Sequence, residues 1–208
     1  MAVVDFAAPT DTEDPHVMAE FHVLTAGYLS GPEDDHVGST VSLAVDGTVV
    51  VVIDPGLVAS RSGILDPLDS LGLGPGDITD VVISHHHPDH TLNVAMFPAA
   101  RVHDHWAWYR DDLWIARPAE GFALSPAIRL IETPGHSPQD ISTLVDTDEG
   151  LVVATHLWWT SGGPADDPFA TDPEALHRNR ARVLALPGLA AVVPGHGPRF
   201  VPDATTPA

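Results

Sequence analysis

At 208 residues the chain is long enough for one substantial hydrophobic core and too short for two full domains. Its 29 acids against nine bases give a formal charge of −20, which repels nucleic acid and anionic membrane surfaces at ordinary ionic strength. With no cysteine, disulfides, thiolate ligands and a cysteine nucleophile are excluded, and no apolar run approaches the ~20 residues needed to cross a bilayer.

Every base is an arginine. A salt-adapted or high-GC proteome carries the same acidic bias in all its proteins, so the charge says little about substrate. The start, "MAVVDFAAPTDTEDP", lacks a basic stretch and carries acids where a signal peptide is apolar, so the expected location is cytoplasmic. Residues 1–15 are expected to form a flexible arm ahead of a single domain over residues 16–208.

"AEFHVLTAG" alternates as a first strand. "STVSLAVDGTVVVVIDPG" reads as a hairpin turning at Asp46-Gly47 and stopped by Asp54-Pro55-Gly56. "GILDPLDSLGLGPGD" predicts a short helix and a turn before the buried strand "DVVIS". "TLNVAMF" is expected to be helical. "ARVHD", "IRLIE", "ISTLVD", "LVVAT" and "LAAVV" are further strands. "TDPEALHRNRARVLALPG" is the clearest helix, capped by Asp172, opened by Pro173 and closed by Pro187-Gly188. Antiparallel strands first, then strands alternating with helices, predict an α/β or α+β sandwich.

The chemistry concentrates in "VVISHHHPDHTLN". The strand "VVIS" runs out into His85, His86, His87 and His90. "IRLIETPG" leads into His136, "LVVAT" into His156 and "LAAVVPG" into His196. Each time a histidine follows the C-terminal lip of a buried strand, where sheet proteins with helical layers bind ligands. Taken singly, His136 or His196 reads as a turn or core histidine. Together they predict a metal site, because a divalent cation needs several neutral imidazoles or carboxylates at about 2.0–2.2 Å and no short segment surrounds it alone. Extended off a strand, His85 and His87 point the same way; on a helix they would diverge.

His85-x-His87-x-Asp89-His90, then His136 in "TPGHS" and His196 in "PGHG", resembles the metallo-β-lactamase-fold hydrolase superfamily. The likeness runs over nearly the whole chain; "VVIDPG", "LNVAMFPAARV" and "RNRARVLALPGLAAVVPGHGPRF" are most similar to the branch containing metallo-β-lactamase-domain-containing protein 1. The resemblance implies a four-layer αββα sandwich with a metal centre at one edge of the two sheets. It assigns His85, His87 and His136 to a first metal and Asp89, His90 and His196 to a second, with a water or hydroxide between them. The branch is associated with hydrolysis, including RNA cleavage in its animal member.

One position departs from that pattern. The family usually has an aspartate after the "LVVA" strand, shared by both metals; here the aligned residue is His156. A carboxylate bridges two cations, whereas a neutral imidazole has one free lone pair and binds one. His156 is therefore expected to be a terminal ligand or to line the pocket. The second metal is expected to bind more weakly than in typical relatives, or the centre to be mononuclear.

The expected activity is hydrolysis by a metal-bound hydroxide, with zinc as the cofactor (one or two ions) and iron or manganese as alternatives. Asp89 is the expected catalytic residue, orienting the nucleophile and accepting a proton. His86 occupies the variable slot of the motif and is not expected to ligate, and no serine sits in a G-x-S-x-G context. Trp106, Trp158 and Trp159 are expected to wall the substrate pocket, with Trp108, Tyr109 and Trp114 close by in sequence; packing of these aromatics as a lid or a subunit contact is the plainer alternative. Arg110 and Arg117 are candidates to meet an anionic substrate, and His103 and His105 are unassigned. A small-molecule ester, thioester or lactone suits the charge, which disfavours nucleic acid, and no membrane partner is expected. A homodimer is compatible with the sequence. Three alternatives stay open: a ribonuclease or phosphodiesterase, a mononuclear iron dioxygenase using a His-His-Asp set, and a metal-binding module without turnover.

Overall fold

The segment "VVVVI" carries apolar side chains at every position rather than at alternate ones, the pattern of a strand covered on both faces. The computed structural model, which describes residues 18–30 and 35–208, gives it that environment; the expected arm over residues 1–15 lies outside the described residues. In chain order the strands are β1 (Glu20–Thr25), β2 (Tyr28–Leu29), β3 (Val37–Gly38), β4 (Val41–Asp46) and β5 (Val49–Ile53). Helix α1 (Ser62–Ser70), β6 (Asp80–Val82), α2 (Pro88–Thr91), β7 (Arg101–His103), β8 (Ala107–Arg110) and β9 (Leu113–Ala116) follow. The rest comprises β10 (Ile128–Glu132), β11 (Ile141–Thr147), β12 (Gly150–Ala154), α3 (Pro173–Leu184) and β13 (Leu189–Val193).

Seven strands form one sheet in the order β1-β4-β5-β6-β7-β8-β9, four form a second in the order β10-β11-β12-β13, and β2 with β3 makes a small separate ribbon. Three apolar clusters fill the gaps between layers. Val51, Ile53 and Val82 of the first sheet meet Ile128, Leu130, Val145 and Val152 of the second. Val50, Val52 and Val81, on the opposite face, pack on Ile64 and Leu68 of α1. Leu144, Val153 and Val192 pack on Leu176 and Val183 of α3. The order of layers is therefore helix, sheet, sheet, helix: the expected αββα sandwich.

Helix α3 begins as predicted, with the Asp172 Oδ1 accepting from the Ala175 N–H at 2.9 Å. Two expectations shift. Asp46 pairs with Val49, so the hairpin turn is Gly47-Thr48 rather than Asp46-Gly47, with Gly47 at φ 58°. The helix expected over "TLNVAMF" instead starts at Pro88, stops at Thr91 and resumes only as a single 3₁₀ turn over Val94–Met96. Asn93 explains the break: its N–H donates to the Pro55 carbonyl at 2.9 Å and its Nδ2 to the Gly56 carbonyl at 2.6 Å, holding that residue to the loop after β5. The aromatic run after β7 forms the hairpin β8–β9, which extends the first sheet.

β5 and β6 are parallel, β12 and β13 are parallel, and β10 runs with β12 because both are antiparallel to β11. The loops leaving these five strands therefore emerge where ligands gather in sheet proteins, at carboxyl ends. Two glycines permit the crowding. A Cβ on Gly56 would lie 1.7 Å from the Asp89 carbonyl oxygen, and one on Gly195 would lie 2.3 Å from Cδ2 of His156.

Candidate metal centre

Four of these loops deliver the donors of the centre, and the loop after β5 begins with Asp54, which backs His90. The loop after β6 carries His85 and His87 and runs into α2, whose first turn holds Asp89 and His90. His136 follows β10, His156 follows β12 and His196 follows β13. Nε2 of His85 lies 2.9 Å from Nδ1 of His87, which lies 3.1 Å from Nε2 of His136. Across the centre, Asp89 Oδ2 is 3.5 Å from Nε2 of both His90 and His196. His156 stands between the two groups: its ring centroid is 4.3 Å from that of His136, 4.5 Å from His85, 4.7 Å from His90 and 5.1 Å from His196.

The far side of each ring shows which nitrogen is free. His136 Nδ1 donates to Asp167 Oδ2 at 2.7 Å, His90 Nδ1 to Asp54 Oδ2 at 2.9 Å, and His196 Nδ1 to the Gly38 carbonyl at 3.0 Å. His85 Nδ1 meets the Ser84 hydroxyl at 3.0 Å. With a proton fixed on Nδ1, the Nε2 atoms of His136, His90 and His196 present lone pairs inward, the tautomer a metal ligand requires. Asp54 is itself fixed, accepting from the Ser84 N–H at 2.6 Å.

Among the described residues, three sets of donor atoms fall within 4.8 Å of one another: His85, His87 and His136; Asp89, His90 and His196; and His85, His90 and His156. Nε2 of His90 and Nδ1 of His156 are buried without a hydrogen-bond partner. A buried, bare imidazole nitrogen costs free energy unless something satisfies it. Imidazole nitrogens with a single carboxylate suit zinc, iron or manganese, so the residues present fit a divalent cation.

The electrostatics keep His85, His87, His156 and His196 neutral and ready to ligate. Burial, reinforced by the surrounding imidazoles, drives His85 and His156 well below the ordinary imidazole pKa, and burial also lowers His87 and His196. Burial alone would lower His90 too, but the Asp54 carboxylate outweighs it and holds His90 above the ordinary value. Burial pushes Asp167 up, yet the hydrogen bonds from His136, the Phe169 N–H and Trp159 together prevail and keep it below the usual carboxylate range.

A family model described as the metallo-β-lactamase superfamily matches residues 34–128. The chain is 32% identical over 189 residues to metallo-β-lactamase domain-containing protein 1 of Xenopus laevis, covering 86% of this chain and 80% of that one. The human protein of the same name is 35% identical over 161 residues, covering 72% of this chain and 59% of that one. The chain belongs to the metallo-β-lactamase superfamily. A metallo-β-lactamase-type structure from Thermotoga maritima shares the fold, with a TM-score of 0.72, 20% identity and coverage of 89% of this chain and all of that one. Metal-dependent hydrolase chemistry is what this superfamily fold generally houses, and the chain carries the histidine-rich centre for it.

The centre opens into a cavity of about 500 Å³, lined by His87, Asp89, His136, His156 and His196 and walled by Leu29, Val37, Leu57, Trp159 and Phe169. Of the three tryptophans expected to wall it, Trp159 alone does. Trp158 is 0% exposed, packs edge-on to Phe200 and donates from Nε1 to the Pro207 carbonyl. Consecutive residues leaving a strand point to opposite sides, so only one of the pair faces the cavity. Trp106 is 45% exposed and lies against His86, away from the cavity lining. His86 donates to Asp104 Oδ2 at 3.1 Å, away from the centre. Buried His103 bonds Asp80 at 2.7 Å, and His105 lies beside Trp106. Arg110 is exposed on β8, and Arg117 covers the Phe122 ring; neither lines the cavity.

Sequence reading missed Asp54, Asp167 and Phe169. Asp54 offered a signal in the sequence, an acid immediately after a buried strand, but Asp54-Pro55-Gly56 reads as a strand stop. Asp167 lies in a loop 31 residues beyond His136, and nothing local marks its partner.

Proposed function

We propose that the protein is a zinc-dependent hydrolase acting in the cytoplasm on a small molecule. In this reading His85, His87 and His136 hold the first ion, Asp89, His90 and His196 a weaker second, and His156 is a terminal donor rather than a bridge. A cation so held would supply a water acidic enough to be a nucleophile near neutral pH and would polarise the scissile carbonyl or phosphoryl oxygen. Asp89, half-buried and facing both His90 and His196, orients that nucleophile and takes its proton. Asp167 and Asp54 keep the protons of His136 and His90 on the outer nitrogens, so the inner ones remain donors to the cation.

The observation that carries this reading is the convergence of histidine nitrogens and Asp89 within 4.8 Å of one another beside an open cavity, with His90 Nε2 and His156 Nδ1 buried and unpartnered. Elemental analysis of protein purified without a histidine tag should find one or two equivalents of zinc, and turnover of an ester, thioester or lactone should disappear in His85→Ala. Iron with oxygen consumption on a persulfide would replace this reading with a dioxygenase, and unchanged hydrolysis in His85→Ala would sink it.

A further inference from the structure

The cavity's charge is as informative as its shape. Among the described residues no arginine lines it, and most of the chain's arginines are engaged elsewhere. Arg101 pairs with Asp80, Arg129 with Asp146, Arg182 with Glu120 and Arg199 with Glu149. Arg180, fully buried, donates to the carbonyls of Leu157, Ala165 and Pro164. An anionic phosphodiester would find no side-chain cation on these walls, and the chain's charge of −20 opposes its approach.

The walls are instead apolar, and one of them is tied to the metal centre. Trp159 and Phe169 stack at 5.7 Å with their planes 17° apart, and Leu29 and Val37 from the β2–β3 ribbon also line the cavity. Asp167 organises the aromatic pair. Its Oδ2 accepts from Trp159 Nε1 at 3.1 Å and from His136 Nδ1 at 2.7 Å, while its Oδ1 accepts from the Phe169 N–H at 2.8 Å. A single buried carboxylate thus sets the aromatic wall and a metal-facing imidazole in one register. Phe169 itself is 68% exposed, a large apolar surface left open at the cavity wall.

We infer that Trp159 and Phe169, with Leu29 and Val37 also on the cavity wall, recognise the apolar acyl group of an uncharged carboxylic ester, thioester or lactone. This rests on the hydrolase reading above. In the reaction, the water oxygen bonds to the acyl carbon, the carbon–heteroatom bond to the leaving group breaks, and the leaving group takes a proton. Each methylene buried against these walls is expected to raise kcat/KM roughly fourfold until the cavity is filled.

The test uses the zinc-loaded full chain with p-nitrophenyl acetate, butyrate and octanoate, and bis(p-nitrophenyl) phosphate as the anionic probe. Wild type should prefer octanoate to acetate and leave the phosphodiester nearly untouched. Because Phe169 is exposed, Phe169→Ala should fold and lower the preference for octanoate over acetate about tenfold. Zinc-dependent turnover indifferent to chain length, an equal loss on all esters in Phe169→Ala, or preference for the phosphodiester would overturn the inference and leave the hydrolase reading standing. Absence of turnover on every substrate, or activity unaffected by His85→Ala, would remove the hydrolase reading and this inference with it.

Discussion

Replacing Asp167 by asparagine removes one charge and turns one acceptor into a donor in a pocket where three N–H groups converge. Wild-type Oδ2 accepts from His136 and Trp159, and Oδ1 accepts from the Phe169 backbone. Asparagine has one oxygen for these two positions. If that oxygen stays with Phe169, the amide NH₂ faces Nδ1 of His136, which is then satisfied only by losing its proton to Nε2. The inner nitrogen becomes a donor and can no longer ligate. If the oxygen stays with His136, the part-buried Phe169 N–H loses its partner, at a cost below the roughly 1–3 kcal/mol of a fully buried donor. Changing the outer partner of a metal-binding imidazole typically costs 10–100-fold in affinity, or about 1.4–2.7 kcal/mol. Asp167→Asn should therefore weaken zinc binding by at least about tenfold, measured by competition against a chromophoric chelator, with the secondary structure unchanged by circular dichroism. Zinc affinity within threefold of wild type would mean that Asp167 does not govern His136, and the account of the inner tautomers would fail.

His156→Asp tests the departure at the shared position. It should tighten binding of a second ion and raise the zinc content towards two per chain, read by titration calorimetry with elemental analysis; unchanged stoichiometry would contradict the terminal-donor reading. Asp140 gives a pH signature. Burial lifts its carboxyl to about 6 from 3.8, against hydrogen bonds from Ser137 that pull the other way. The folded state thus binds the proton on Asp140 more tightly than the unfolded state, so this residue's own contribution to the stability of metal-free protein should fall as pH rises between about 4 and 6, by about 3 kcal/mol in all. Asp140→Asn should gain on wild type across that window and hold a constant lead above it in urea melts with chelator present; a difference independent of pH would refute it.

The sequence by itself marked most of the sandwich's strands, the capped helix α3 and the histidines after the β6, β10, β12 and β13 strands. Those features are encoded locally, as runs of apolar β-formers, an Asp-Pro start and a Pro-Gly stop, and imidazoles placed where strands end. It also exposed His156 as the odd residue in an otherwise familiar pattern. Tertiary structure decided what lies behind and around those imidazoles. Asp54 reaches His90 across 36 residues and Asp167 reaches His136 across 31, so no window of sequence contains both partners. It decided, too, that Trp159 faces the cavity while Trp158 fills the core, and that the aromatic run after β7 is a hairpin. Loop backbones have no fixed period, so the direction of each side chain there is set by long-range hydrogen bonds and packing rather than by its neighbours in the chain.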